Sequence, residues 1–245
     1  MIYDINKIQS CDSTNTEAFR LKEKITKKIP FAVYCEEQTR GRGMGKNIWE
    51  SEKGKNLTCS LIQYPVFLSP YRHFYFSMVV ALSVYDILQN MGLQSQIKWP
   101  NDVLVDNEKI CGILIESEIQ NGKIQLMLAG IGININQTEF SEDCTNAVSL
   151  KQKGITHHNA DTVLHLLIDA FNKRYKMLQQ EKYTEIKSDY LGQLKGFQEW
   201  KYFTDGKLTC KAKIVDVRDN GYILTERADG KITEHEMKEI SMIIK

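Results

Sequence analysis

The chain lacks an excess of charge of either sign: 32 Lys and Arg stand against 31 Asp and Glu, a net of +1. That balance excludes the broad basic field of a dedicated nucleic-acid binder, so no DNA partner is expected and any anion site must be local. Paired cysteines are also missing. Cys11, Cys35, Cys59, Cys111, Cys144 and Cys210 form no C-x-x-C and have no histidine at ligand spacing, which excludes a zinc module and a disulfide framework. Cys35, Cys59 and Cys111 sit in apolar, strand-like runs as small core residues, and reduced thiols fit a cytoplasmic location. No basic head followed by an apolar segment opens the chain, so no signal peptide is read. The most apolar helix candidate, "FYFSMVVALSVYDIL", is too short for a bilayer and carries Asp86, so no membrane partner is expected. No P-loop, dinucleotide-binding G-x-G-x-x-G or G-x-S-x-G is present, and the five histidines form no triad or metalloprotease pattern.

What remains is an ordinary globular composition, 42% hydrophobic and 26% charged over 245 residues, enough for one large domain with a small appendage. Residues 14–28 have Ala18, Leu21 and Ile25 at helical spacing, with Ser13 or Thr14 available as a cap. Strands are read at 31–37 and 56–63, a helix across 71–91 closed by Gly92, and short strands at "SQIKW" and "DVLVD". Two longer strands follow, 109–117 and 123–136. Asn and Gly in "VDNEK" and "IQNGK" mark tight turns, so these strands form an antiparallel meander. Helices are expected at 160–180 and 183–192. Beyond Gly196 short alternating strands are separated by "TDGK", "RDNG" and "RADG". The expected fold is therefore α+β, with a 1–195 domain of catalytic size and a small 196–245 β module.

Three stretches carry chemistry. "QTRGRGMGKNIWES" (38–51) is too rich in glycine for a helix or strand interior. It leaves a strand as a basic loop, an arrangement that gathers backbone N–H groups and cations around an anion. In "AGIGININ" (129–136) alternation puts Ile131, Ile133 and Ile135 on one face and Gly130, Gly132, Asn134 and Asn136 on the other. The bare face admits a flat ligand or a packed helix. "KICGILIE" repeats the pattern weakly through Gly112, with Lys109 at its entrance. In "KWPND" (98–102) Pro100 forces the chain out of the sheet, and Asn101 and Asp102 suit the turn. The same corner presents a cation, an amide and a carboxylate to a phosphate and its metal ion. Trp49 reads either as core or as a plate for a base.

In order and spacing, "STN" (13–15), "EEQTRGRG...W.S" (36–51), "KWPNDV" (98–103), "KICGILIE" (109–116), "GIGININ" (130–136) and "AVSL" (147–150) resemble the biotin protein ligases across essentially the whole chain. Each motif is weak alone; together they are specific. The resemblance implies a mixed β-sheet flanked by helices, like class II aminoacyl-tRNA synthetases, followed by an SH3-like barrel. It implies biotin and ATP with Mg2+ as substrates, a biotinyl-5′-adenylate intermediate, and transfer to a lysine of the biotin carboxyl carrier domain of an acyl-CoA carboxylase. Ser13, Thr14 and Gln38 would then hydrogen-bond the ureido ring, Asn15 would also bind biotin, and Gly41, Gly112 and Leu114 would lie along the ring and tail. Arg42 and Lys109 would neutralise the biotin carboxylate and the α-phosphate as these anions meet. Lys98 and Arg40 would face the outer phosphates, Trp49 would stack on adenine, and Asn101 and Asn134 would contact the adenylate. Asp102 would hold Mg2+ or position or deprotonate the carrier lysine, and the 38–51 loop would order on binding. A homodimer is compatible with all of this.

Two departures from the family pattern stand out. The common G-R-G-R reads G-R-G-M here, so Met44 replaces an arginine and the adenylate would be held less tightly unless Arg40 or Lys46 substitutes. Only twelve residues precede Ser13, so a ligase without a winged-helix DNA-binding domain is expected. The alternatives are a lipoate or octanoate ligase or transferase of related fold, and a non-catalytic biotin-binding module.

Overall fold

The computed structural model describes residues 4–25, 27–144 and 146–244. Its larger sheet contains β1 (Asp4–Cys11), β2 (Phe31–Gln38), β3 (Leu57–Gln63), β4 (Ser95–Lys98), β5 (Asp102–Val105), β6 (Glu108–Gln120) and β7 (Lys123–Ile133). Their spatial order is β1-β2-β3-β7-β6-β5-β4. Among the described strand pairs of this sheet β1–β2 alone is parallel; β4 through β7 form the antiparallel meander expected from the turn residues. Asp106 and Asn107 have φ of 52° and 71°, and Asn121 and Gly122 have 51° and 70°. These are the left-handed pairs that two-residue hairpins require.

Four helices flank this sheet: α1 (Thr14–Lys24), α2 (Phe74–Asn90), α3 (Ala160–Gln179) and α4 (Tyr183–Gly192). Alternation along the strands divides the burial between two sides. On one side Leu57, Cys59, Leu61, Ile131 and Ile133 join α2 and α3 in the main core. On the other, α1 inserts Ala18 against Val33, Ile62 and Leu128, covering part of the face and leaving the rest for a cleft. Helix α2 is apolar almost all round because it lies between the sheet and the outer helices. Asn159 caps α3 by accepting a 2.8 Å bond from the Thr162 N–H.

A second sheet follows, made of β8 (Lys201–Thr204), β9 (Thr209–Val217), β10 (Ile223–Arg227), β11 (Ile232–His235) and β12 (Ser241–Met242). It is antiparallel in the order β11-β10-β9-β8-β12. Phe203, Ile214, Val217 and Ile223 belong to the same buried cluster as α2, so the module shares the main core. Among the described residues no helix is long and apolar enough to cross a membrane.

Several elements depart from expectation: α2 begins only at Phe74, β6 runs on to Gln120, and β7 ends at Ile133, three residues short. Strand β1 has apolar residues only at Ile5 and Ile8, out of strand alternation; parallel pairing to β2 makes it a strand, and composition does not announce that. Helix α1 stops at Lys24, four residues short, where Ile25 turns to extended φ and ψ of −95° and 112°.

Candidate functional site

The cleft is built on a cross-strand row. Register places Lys98 opposite Asp102, Asp102 opposite Gly112, Gly112 opposite Gly132, and Gly132 opposite Thr58. Partners in an antiparallel ladder share a face, so one row runs from a cation through a carboxylate to a bare centre. The next row brings Leu114, Gly130 and Ser60 side by side. A cleft of about 350 Å3 lies above them.

Polar groups close one end. Ser13, Thr14 and Asn15, at the start of α1, are 4%, 4% and 2% exposed. Ser13 occupies the N-cap position, yet its side chain makes no capping bond, so its hydroxyl remains available to the cleft. The Thr14 N–H and hydroxyl both donate to Gln38 Oε1, at 2.8 and 3.1 Å. Asn15 accepts from the Ser60 hydroxyl at 2.6 Å and donates to Glu116 Oε2 at 2.6 Å. Arg42 donates to the same Glu116 oxygen at 2.7 Å. Glu116 was not anticipated as a site residue, although alternation along β6 puts it on the same face as Gly112 and Leu114.

The glycine-rich loop is a small hairpin. The Gly43 N–H donates to Asn47 O at 2.8 Å and the Trp49 N–H to Gly41 O at 3.0 Å, around a bridge between Arg42 and Ile48. A side chain at Gly41 would strike the Trp49 backbone, which is why the hairpin closes on glycine there. Its final residue lays the indole over the bare floor. A Cβ on Gly112 would stand 2.8 Å from Trp49 Cζ3, and one on Gly132 would stand 2.6 Å from Nε1. The flat group over these glycines is thus the protein's own tryptophan. A ligand tail crossing Gly112 and Gly132 requires that ring to move aside, towards the adenine position expected for it. The indole Nε1 is buried without a hydrogen-bond partner, so the contact is apolar packing and carries no polar anchor.

Cations gather at the other end. Lys109 Nζ lies 2.7 Å from Asp102 Oδ1, close enough for ion pairing although not aligned as a hydrogen bond, and Lys98 Nζ lies 3.8 Å from Oδ2. The Lys109 ammonium also stands 5.7 Å from the Trp49 ring centre, within cation–π range. Asn101 is partly engaged in structure: its side-chain amide donates to Ile113 O and its backbone carbonyl accepts from the Ile113 N–H, both at 2.9 Å. These bonds hold the Pro100 corner to β6. The indole of Trp99 ties the same corner to Gly221 O at 2.9 Å. Asn134 donates to Val148 O at 3.1 Å, while its side-chain oxygen is buried without a partner. The "AVSL" stretch serves here as a clamp, since the Val148 and Leu150 N–H groups bond Lys109 O and Asn134 O, each at 3.0 Å.

Burial pushes the Cys59 thiol up to about 12 and the Cys111 thiol well above its ordinary value, so neither thiol under the floor is a nucleophile. Among the described residues no group of three His, Cys, Asp or Glu is placed to hold a metal ion. Asp102 is a carboxylate between two ammonium groups, which suits only a Mg2+ that arrives with most of its ligands from a nucleotide and water.

Of the residues singled out in the sequence, Ser13, Thr14, Asn15, Gln38, Arg42, Trp49, Lys98, Asn101, Asp102, Lys109, Gly112 and Leu114 all line this cleft. Arg40, Gly41 and Asn134 line the wider opening next to it. Lys238, Ile240 and Ser241 of the C-terminal module also reach the cleft, and no sequence motif marked them.

Comparison with known proteins agrees with this geometry. Residues 8–134 match the model of the biotin/lipoate A/B protein ligase family. The bifunctional ligase/repressor BirA of Bacillus subtilis is 31% identical over 206 residues, 81% of this chain; the match spans 62% of that relative's own length. The biotin–[acetyl-CoA-carboxylase] ligase of Paracoccus denitrificans is 31% identical over 74% of this chain and 76% of its own. The biotin protein ligase of Aquifex aeolicus, solved in complex with biotin and ATP, superposes over 100% of both chains with a TM-score of 0.76 and 25% identity. With the family model covering more than half of its length, the chain belongs to the biotin/lipoate A/B protein ligase family.

Proposed function

We propose that the chain attaches biotin to a lysine of a biotin carboxyl carrier domain through biotinyl-5′-adenylate. The observation that carries this reading is the graded row across the sheet, polar at α1, bare over Gly112 and Gly132, and cationic at Lys98 and Lys109. A ureido head needs buried hydrogen-bond partners, an aliphatic tail needs an apolar floor, and a carboxylate meeting a phosphate needs fixed positive charge.

In the first step a biotin carboxylate oxygen attacks the α-phosphorus of ATP, a P–O bond forms, and pyrophosphate leaves. Arg42 and Lys109 offset the repulsion between the two anions, and Lys98 and Arg40 hold the departing phosphates. Asp102 would be the protein ligand of a Mg2+ carried in by the nucleotide, which would supply further positive charge to the phosphates. The buried oxygen of Asn134 suits the exocyclic amine of adenine. In the second step a neutral lysine amine attacks the acyl carbon of the mixed anhydride, an amide forms and AMP leaves. Asp102 positions that amine or takes its proton once the adenylate phosphate draws Lys109 away.

The name of the Paracoccus relative supports the carrier of an acyl-CoA carboxylase as the acceptor. Incubation with ATP, Mg2+, biotin and an isolated carrier domain should add one biotinyl group to the carrier, seen as an intact-mass shift that is absent in a carrier whose acceptor lysine is replaced. Lipoyl transfer in place of biotinyl transfer would reassign the substrate, and no modification with either acid would refute the ligase reading.

A further inference from the structure

Met44 leaves the glycine hairpin one cation short, and neither sequence neighbour makes up the loss at the cleft. Arg40 and Lys46 line only the outer opening, whereas Met44 lines the inner cleft, and Arg42 and Gly43 border both. A lysine from elsewhere in the chain reaches the gap. Lys238 lies at the tip of the turn between β11 and β12 and lines the same cleft as Met44, Lys98 and Lys109. Its ammonium rests over Gly45, and Lys238 Cε stands 3.1 Å from where a Cβ on that residue would be. Gly45 therefore provides the space the lysine uses.

Two further observations separate Lys238 from an ordinary surface lysine. Its φ is +76°, in the left-handed region that favours glycine, and backbone strain of this kind collects at functional sites. The turn around it is braced: the Glu236 N–H donates to Glu239 Oε2 at 2.8 Å and the Tyr222 hydroxyl to Glu236 Oε1 at 2.6 Å. Both flanking carboxylates thus brace the turn by accepting hydrogen bonds. Arg42, Lys98 and Lys109 all face a carboxylate, while among the described residues no ion pair is made by Lys238. Its ammonium is thus left without a direct ion pair at the mouth of a cleft that already has three cations.

We propose that Lys238 is the phosphate-binding cation that replaces the arginine missing at Met44, delivered by the C-terminal module to the nucleotide and to the acyl-adenylate. The inference rests on the biotinyl-adenylate reading of the cleft and adds to it a residue outside every recognisable motif. It also gives the module a direct part in the first half-reaction, since a charge-assisted contact to phosphate is worth far more than a surface ion pair.

Full-length wild type, Lys238→Met, Lys238→Gly and Lys238→Arg are compared by biotin-dependent ATP–pyrophosphate exchange, by filter-bound retention of biotinyl-adenylate, and by thermal melting. Lys238→Met should raise the KM for ATP and speed release of the adenylate by roughly tenfold with biotin affinity unchanged. Lys238→Arg should recover most of the retention. Lys238→Gly relieves the strained φ, so it should melt no lower than wild type while losing retention as the methionine variant does; a merely structural lysine would not give that split. Adding Met44→Arg to Lys238→Met should restore retention. Wild-type ATP KM and retention in both the Met and Gly variants would overturn the role of Lys238 and leave the ligase reading intact. Absence of biotin-dependent exchange in the wild type would instead remove both.

Discussion

Lys109 touches Asp102 and the face of Trp49 at once, and Arg42 shares Glu116 with Asn15; both cations are held in the cleft by partners they can exchange for a ligand's anions. Each is partly exposed, so its loss costs the fold little. Arg42→Ala and Lys109→Ala should therefore lower the rate of adenylate formation by about 10²–10³-fold with melting temperatures close to wild type; a lost thermal transition in Lys109→Ala would mark that lysine as structural. The glycine floor gives a second expectation. Gly132→Ala forces a methyl into the indole of Trp49, at a cost of about 1–3 kcal/mol if nothing yields. The ring should be displaced, visible as a changed tryptophan emission before biotin is added and a smaller change after it. Emission like that of the wild type would show that the ring does not rest on this floor. Arg42 and the glycines were legible in the sequence because loop chemistry and strand alternation mark them, whereas Lys109 was marked only by the family resemblance. Glu116 and Lys238 were not, because one is an ordinary strand residue and the other enters from a distant turn. Trp49 was open between core and plate in the sequence, because which surface it lies on depends on the path of the hairpin.

At the scale of elements, Arg174 on α3 bonds Asp86 of α2 at 2.7 and 2.9 Å and also reaches Asp189 of α4. The Asp86 side chain is the main cause of a guanidinium pKa held above its ordinary value, with burial opposing it. Arg174→Ala leaves two carboxylates facing each other and should lower stability by about 1–3 kcal/mol, read as a shift in the urea midpoint; an unchanged midpoint would refute this staple. The C-terminal sheet has a pH-sensitive counterpart. Burial lowers the His235 pKa below its usual value near 6.5, and its ring nitrogen sits 3.0 Å from the Thr225 hydroxyl. With the folded pKa depressed, the unfolded chain binds more protons around that pH. The stabilisation is then full above pH 6.5 and is lost as pH falls through the folded value. The melting temperature should drop from about pH 7.5 to 5.5 and drop less in His235→Gln; equal slopes would contradict it. Helices α2, α3 and α4 and the meander were readable from period and turn residues, since local rules decide them. Strand β1 was not, because its pairing with β2 is non-local.

At the scale of the molecule, the C-terminal module does not stand apart. Trp99 bonds Gly221 O, Tyr75 bonds Asp219, and Phe203 and Ile214 lie in the core of α2. The division at 195 and 196 is therefore proposed as a change of architecture within one folding unit, and a single cooperative melting transition is expected; two separated transitions would contradict it. The same packing delivers Lys238 to the cleft, so removing the module should abolish activity through both stability and charge. The change of texture beyond Gly196 was visible in the sequence, but the shared core was not, because apolar residues do not announce which neighbour they will bury against. Adenylation of biotin is read out by exchange of radiolabelled pyrophosphate into ATP. Exchange that depends on biotin and falls in Lys109→Ala is the result expected; exchange that is absent although biotin binds would make the chain a capture module and contradict the account.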